Sequence, residues 1–139
     1  MKLQLITIAM LIAATSWARL GESEAQCDQR YENGTISSQN IKTYQKDDIG
    51  IRCEFINKKC AKIIFESKRN LDSSIPDLLA ANAGKSKWEE LEKGKKWQRA
   101  DKGAFAAYSK NRLEITDANY EAAKKAKETS ASKSAVKGF

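Results

Sequence analysis

Histidine is absent from the 139 residues of this chain. A Ser-His-Asp triad, a Cys-His pair and every His-ligated zinc or iron site are therefore excluded. The usual general base near neutral pH is missing too, so acid–base chemistry would fall to carboxylates, Lys or Cys. No spaced Asp/Glu set resembles a calcium loop, and the pattern implies neither a metal nor a cofactor. No Cys-x-x-Cys is present, which removes a thioredoxin-like redox motif. No block of five or more like charges occurs, which argues against a basic arm for nucleic acid. Proline occurs once, as Pro76.

What is present begins with an address. Lys2 gives a positive start, and Leu3 to Ala14 form an apolar run. Ser16-Trp17-Ala18 then offers the small-x-small pattern read by signal peptidase. The run is shorter than the about 20 apolar residues that span a bilayer. The reading is a signal peptide over 1–18 and an exported mature chain, periplasmic or extracellular, starting at Arg19. Cys27 follows Glu24-Ala25-Gln26, which lacks the Leu and small residues of a lipobox, so no stable membrane anchor is expected. The net charge of +7 favours acidic partners. Because Lys and Glu are interspersed, much of that excess serves solubility.

Export places Cys27, Cys53 and Cys60 in an oxidising compartment. Three is odd, so at most one internal bridge forms. Cys53 alternates with Ile49, Ile51 and Phe55 and reads as a buried free thiol. A Cys53–Cys60 bridge would need a register that leaves Phe55 in the turn. Cys27–Cys60 is preferred, with Cys27–Cys53 next.

The remainder reads as one α+β domain over 19–127. Ser23 and Gln26 form a capping box for a helix over 23–32, which Gly34 stops. Ile41 to Gln45, the alternating Ile49 to Phe55, and Cys60 to Phe65 are strands separated by Asp47-Asp48 and Asn57-Lys58. A second helix starts at Ser73 or Ser74, with Pro76 in its first turn and Gly84 at its end. Lys85 to Lys95 reads as a polar connection. Strands follow around Trp97, over Ala104 to Tyr108 and over Arg112 to Thr116. The alanines flanking Phe105 allow a helix to lie close to that strand. A helix over 117–127 and a disordered tail over 128–139 complete the chain.

The halves, 23–67 and 73–116, match in order: Gly34, Tyr44, Asp47 and Asn57 correspond to Gly84, Trp97, Asp101 and Asn111. They predict tandem αβββ units in one antiparallel meander sheet with helices on one face. This helix–Gly–βββ unit resembles the beta-lactamase-inhibitor-protein-like architecture that small outer-membrane assembly lipoproteins share. Cys27-x-x-Arg30-Tyr31, Asp48 to Phe65, Lys87-Trp88 and Lys96-Trp97 also resemble a group of small exported bacterial proteins. The resemblance covers roughly 23–122. It implies the fold, one that leaves an inhibitor function open.

No motif supplies a catalytic set, and the chain is read as a non-enzyme. Ala83-Gly84-Lys85-Ser86 ends like a phosphate-binding loop, but Leu79 stands where its first glycine belongs. Asp47-Asp48 is a turn in which adjacent carboxylates point apart. Asn33-Gly34-Thr35 is a glycosylation sequon and equally a turn. Tyr44, Trp88, Trp97, Arg99 and Tyr108 are the candidate binding residues, since Trp, Tyr and Arg dominate interface hot spots. The expected function is a binding or inhibitor-like module with a bare sheet face, its partner a protein or an anionic envelope component. The alternative is electrostatic attachment through the Lys-rich C-terminal segment.

Overall fold

The structure, a computed structural model, describes residues 17–31 and 34–137, the side chains of Ser37 and of 130–137 excepted. Residues 1–16 of the expected leader and Asn33 of the sequon lie outside the described residues.

The fold is α+β, an antiparallel sheet with helices packed against it. Its elements are α1 (Glu24–Arg30), β1 (Thr35–Ser38), β2 (Ile41–Lys46), β3 (Ile49–Ile56) and β4 (Lys59–Ser67), then a 3-10 turn at Asp72–Ser74. The second half continues with α2 (Ile75–Ala81), β5 (Trp88–Glu92), β6 (Lys96–Arg99), β7 (Ala104–Ser109), β8 (Arg112–Asp117) and α3 (Tyr120–Lys137). Each half therefore carries four strands, one more than its sequence pattern predicts. The added strands β1 and β5 are the two edges. The order is β1-β2-β3-β4-β8-β7-β6-β5, so the last strands of the two meanders pair at the centre.

Local chemistry explains most boundaries. Ser23 accepts from the Gln26 amide, and the Gln26 side chain accepts from the Ser23 amide, closing the capping box of α1. Asn57 and Lys58, between β3 and β4, both take positive φ, as do Lys110 and Asn111 between β7 and β8. Two such residues match a tight turn to the twist of the flanking strands. Gly34 does not act as a left-handed helix stop. A Cβ there would come within 2.5 Å of the Tyr44 ring, so glycine is required by close packing. Segment 128–137 is helical, not a disordered tail.

The core lies between the sheet and the two short helices. Ile51, Cys53, Ile63, Phe65, Leu113 and Ile115 from the central strands meet Cys27 of α1 and Leu78 of α2. Trp17 and Ala18, assigned by sequence to the leader, take part in it. Trp17 packs edge-on against Phe65 with ring centroids 5.9 Å apart. Ala18 is fully buried; its amide donates to the Tyr31 hydroxyl at 2.6 Å and its carbonyl accepts from Asn82 Nδ2 at 3.0 Å. The helices are not confined to one face. At the start of α3 the Tyr120 hydroxyl donates to Glu54 at 2.7 Å, and Lys62 lies over its ring. Glu54 and Lys62 belong to the opposite side of the sheet from Cys53 and Ile63.

Candidate functional site

The residues nominated by sequence all project from the core side of the sheet. Tyr44 stands opposite Ile51, Trp97 opposite Ala106, Trp88 opposite Arg99 and Tyr108 opposite Leu113. Each is engaged internally. Tyr44 donates its hydroxyl to Asp28 of α1 at 2.7 Å. Trp88 donates its indole N–H to the Leu79 carbonyl of α2 at 2.6 Å. Arg99 reaches the Asn82 carbonyl at 3.0 Å and Asp101 at 2.8 Å. Tyr108 bonds Asp72 and, at 3.1 Å, Asn111. Trp97 is buried. They pin α1, α2 and the connection into α2 to the sheet, and do not form a surface on its opposite face.

These contacts shift the titrating groups in consistent directions. Lys42, bonded at 2.7 Å, holds the Asp28 carboxyl below the usual carboxylate range, with the Tyr44 hydroxyl adding to the effect. Desolvation and Asp28 push Tyr44 up. Desolvation and Asp72 push Tyr108 up to about 12. Both phenols therefore act as hydrogen-bond donors, not as bases, near neutral pH.

The opposite face of the central strands carries different chemistry. Its rows read Gly50, Glu66, Arg112 and Ser109, and then Thr43, Arg52, Ile64, Glu114 and Ala107. At the end marked by the β2–β3 and β7–β8 turns, Gly50, Glu66, Arg112, Thr43, Arg52 and Ile64 of these rows line an open trough of about 1160 Å³. Arg52, Lys68, Arg69, Lys110 and Arg112 converge there, against Asp48 and Glu66. Arg69 pairs with Asp48 at 3.6 Å and Arg112 with Glu114 at 3.4 Å. Arg52, Lys68 and Lys110 form no ion pair among the described residues. Ile64, in register with Arg52 and Glu114, keeps 6% exposure and gives the trough an apolar floor. Sequence reasoning missed this set because it searched by residue type. The available signal was parity, since the alternate positions of β3, β4 and β8 carry Arg52, Glu66 and Arg112.

The Cys27–Cys60 bridge preferred from sequence is not formed, and Cys27, Cys53 and Cys60 are free and buried. They belong to one buried cluster under α1, and Cys60 donates its thiol to the Lys62 carbonyl at 3.6 Å. The neighbouring Cys53 and Cys60 thiols lower the pKa of Cys27, and Cys27 leads the causes that raise the other two.

Among the described residues no helix is long and apolar enough to cross a membrane. The class that fold and surface define is an α+β protein with one antiparallel sheet and a polar, cationic trough on its outer side. Comparison with protein-family models, with curated proteins and with solved structures returns no match.

Proposed function

We propose that this protein is an exported, non-catalytic binding module whose recognition surface is the outer sheet face at the trough end. The observation that carries this reading is the convergence of Arg52, Lys68, Arg69, Lys110 and Arg112 against Asp48 and Glu66 over a concave surface. Such an imbalance in a concave polar surface raises the local concentration of an anionic partner. Arg52 and Arg112 project from the two strands that flank β4, while Lys68, Arg69 and Lys110 sit at the strand ends beside them. The occupant that fits is an acidic segment on another protein. An inhibitor-like role is one form of this, in which the docked segment belongs to an enzyme.

A polyglutamate peptide serves as probe, titrated at low salt and again at raised salt. Binding is expected to weaken with salt. The triple variant Arg52→Glu, Lys68→Glu, Lys110→Glu should abolish it. Retention of full affinity by that variant would refute the trough as the site.

A second reading rests on α3. Lys124, Lys125 and Lys127 are exposed there and could attach the protein to an anionic envelope surface. The variant Lys124→Glu, Lys125→Glu, Lys127→Glu separates the two. It should leave peptide binding intact if the trough is the site and remove it if α3 is.

A further inference from the structure

Cys27, Cys53 and Cys60 are all buried in one core cluster, where Ala or Val would fill the same space. Cys27 is the one buried residue of α1. The chain entering α1 is fastened to β4 at Cys60 itself. Gly21 donates to the Cys60 carbonyl at 2.8 Å, and the Cys60 amide donates to the Glu22 carbonyl at 2.7 Å. Asp28 and Glu24 of α1 bind Lys42 of β2 at 2.7 and 3.2 Å. The helix thus sets its sulfur directly over the strands.

The strand pair brings the other two sulfurs to that point. β3 and β4 slip register between Glu54 and Phe55, where Ala61 is the extra residue. The bulge sets Cys60 opposite Phe55 and Cys53 opposite Ile63, and both cysteines are buried in the same cluster. Cys53 and Cys60 are therefore diagonal neighbours, and diagonal side chains on a sheet start about 7–8 Å apart. A disulfide needs Cβ atoms about 3.5–4.5 Å apart. A sulfur hanging from a separate helix meets that condition with either strand more readily than the two strand cysteines meet it with each other. The trio is not arranged as a metal-holding group among the described residues.

We propose that Cys27 is the shared partner of one disulfide, closing onto Cys53 or onto Cys60, and that the remaining thiol lets the bond pass between them. Closure takes an external disulfide as oxidant, such as oxidised glutathione. The Cys27 thiolate attacks one sulfur of the oxidant and releases the other as a thiolate. A second cysteine thiolate then attacks Cys27 Sγ and expels the remaining oxidant thiolate. The cysteine pair gives up two electrons and two protons, and the oxidant becomes two thiols. Transfer needs no oxidant. With Cys27–Cys53 closed, the Cys60 thiolate attacks Cys27 Sγ, and Cys53 leaves as a thiolate that takes up the proton Cys60 gave up. All three sulfurs are enclosed, so first closure occurs before α1 docks or when this short helix opens.

The test is to fold the reduced chain in a glutathione redox buffer, block free thiols, digest and map bridges by mass spectrometry. One blocked thiol per chain is expected, with Cys27 in every bridge and both Cys53 and Cys60 among its partners. Cys60→Ser should close only Cys27–Cys53, and Cys53→Ser only Cys27–Cys60. With no thiol or oxidant added, the wild-type protein should interchange between the two forms, and alkylating its remaining thiol should freeze the linkage. Interchange that survives alkylation would overturn the transfer. A Cys53–Cys60 bridge, or three free thiols in the wild-type chain, would overturn the proposal. The wild-type map decides even where a serine variant fails to fold.

Discussion

Removing Trp17 and Ala18 should destabilise the domain strongly, although both sit where a leader would be expected to end. Trp17 loses its edge contact with Phe65 and its place under Lys46, whose ammonium lies 4.5 Å from the indole centroid. A half-buried indole with one aromatic contact contributes about 2 kcal/mol. Ala18 gives an N–H to Tyr31 at 2.6 Å and a carbonyl to Asn82 at 3.0 Å. The Tyr31 and Asn82 side chains would each lose a buried partner, at about 1 kcal/mol apiece. A chain starting at Arg19 should therefore be less stable by about 3–5 kcal/mol than one starting at Trp17. For a domain of this size that is a fall in Tm of about 12–20 °C. Circular-dichroism melts of the two purified forms decide it. Melting points within about 3 °C of each other would refute the reasoning. On the same grounds, an exported chain should be cut before Trp17, where Ala14 and Ser16 supply a second small-x-small pattern; its intact mass would show this.

Other perturbations follow from single contacts. Asn82 accepts from Leu20 at 2.8 Å and donates to Ala18 and Leu78, so Asn82→Ala should cost about 2–3 kcal/mol in urea unfolding by orphaning buried backbone groups. Gly34→Ala should lower stability by about 1–3 kcal/mol, because the new methyl meets the Tyr44 ring; an unchanged midpoint would contradict the packing. Asp28 has a depressed pKa in the fold, so its contribution is fully present above the ordinary carboxylate range near pH 4 and is lost as pH falls through the folded value. Asp28→Asn should thus narrow the gap to wild type on acidification. Asp28 is 44% exposed, so solvent screening limits the gap at pH 7 to about 1 kcal/mol or less.

Elements whose burial alternates were legible from sequence. β3 alternates buried positions with half-buried or exposed ones along Ile49–Ile56, and its neighbours are marked by Asp and Asn turns. The capping box of α1 was equally plain. The edge strands were not, because an edge strand need not alternate. Four of the five residues in Trp88–Glu92 are exposed, and Trp-Glu-Glu-Leu-Glu reads as a polar connection. Pairing of β4 with β8 is non-local, and no short-range signal encodes it. The facing of the aromatic residues was hidden for a related reason. Tyr44 and Trp97 resemble hot-spot residues by type, but their parity with Ile51 and Ala106 turns them inward. Phe105, between two buried alanines, turns outward and is 42% exposed. The bulge at Ala61 breaks the alternation that Ile63 and Phe65 set along β4, and so turns Cys60 to the same face as Cys53.

An NMR titration of the isotope-labelled protein with the polyglutamate peptide tests the recognition surface most directly. The account predicts shifts gathered at Gly50, Arg52, Glu66, Lys110 and Arg112. Shifts gathered instead on α1 and α2, or along Lys124 to Lys127, would contradict it.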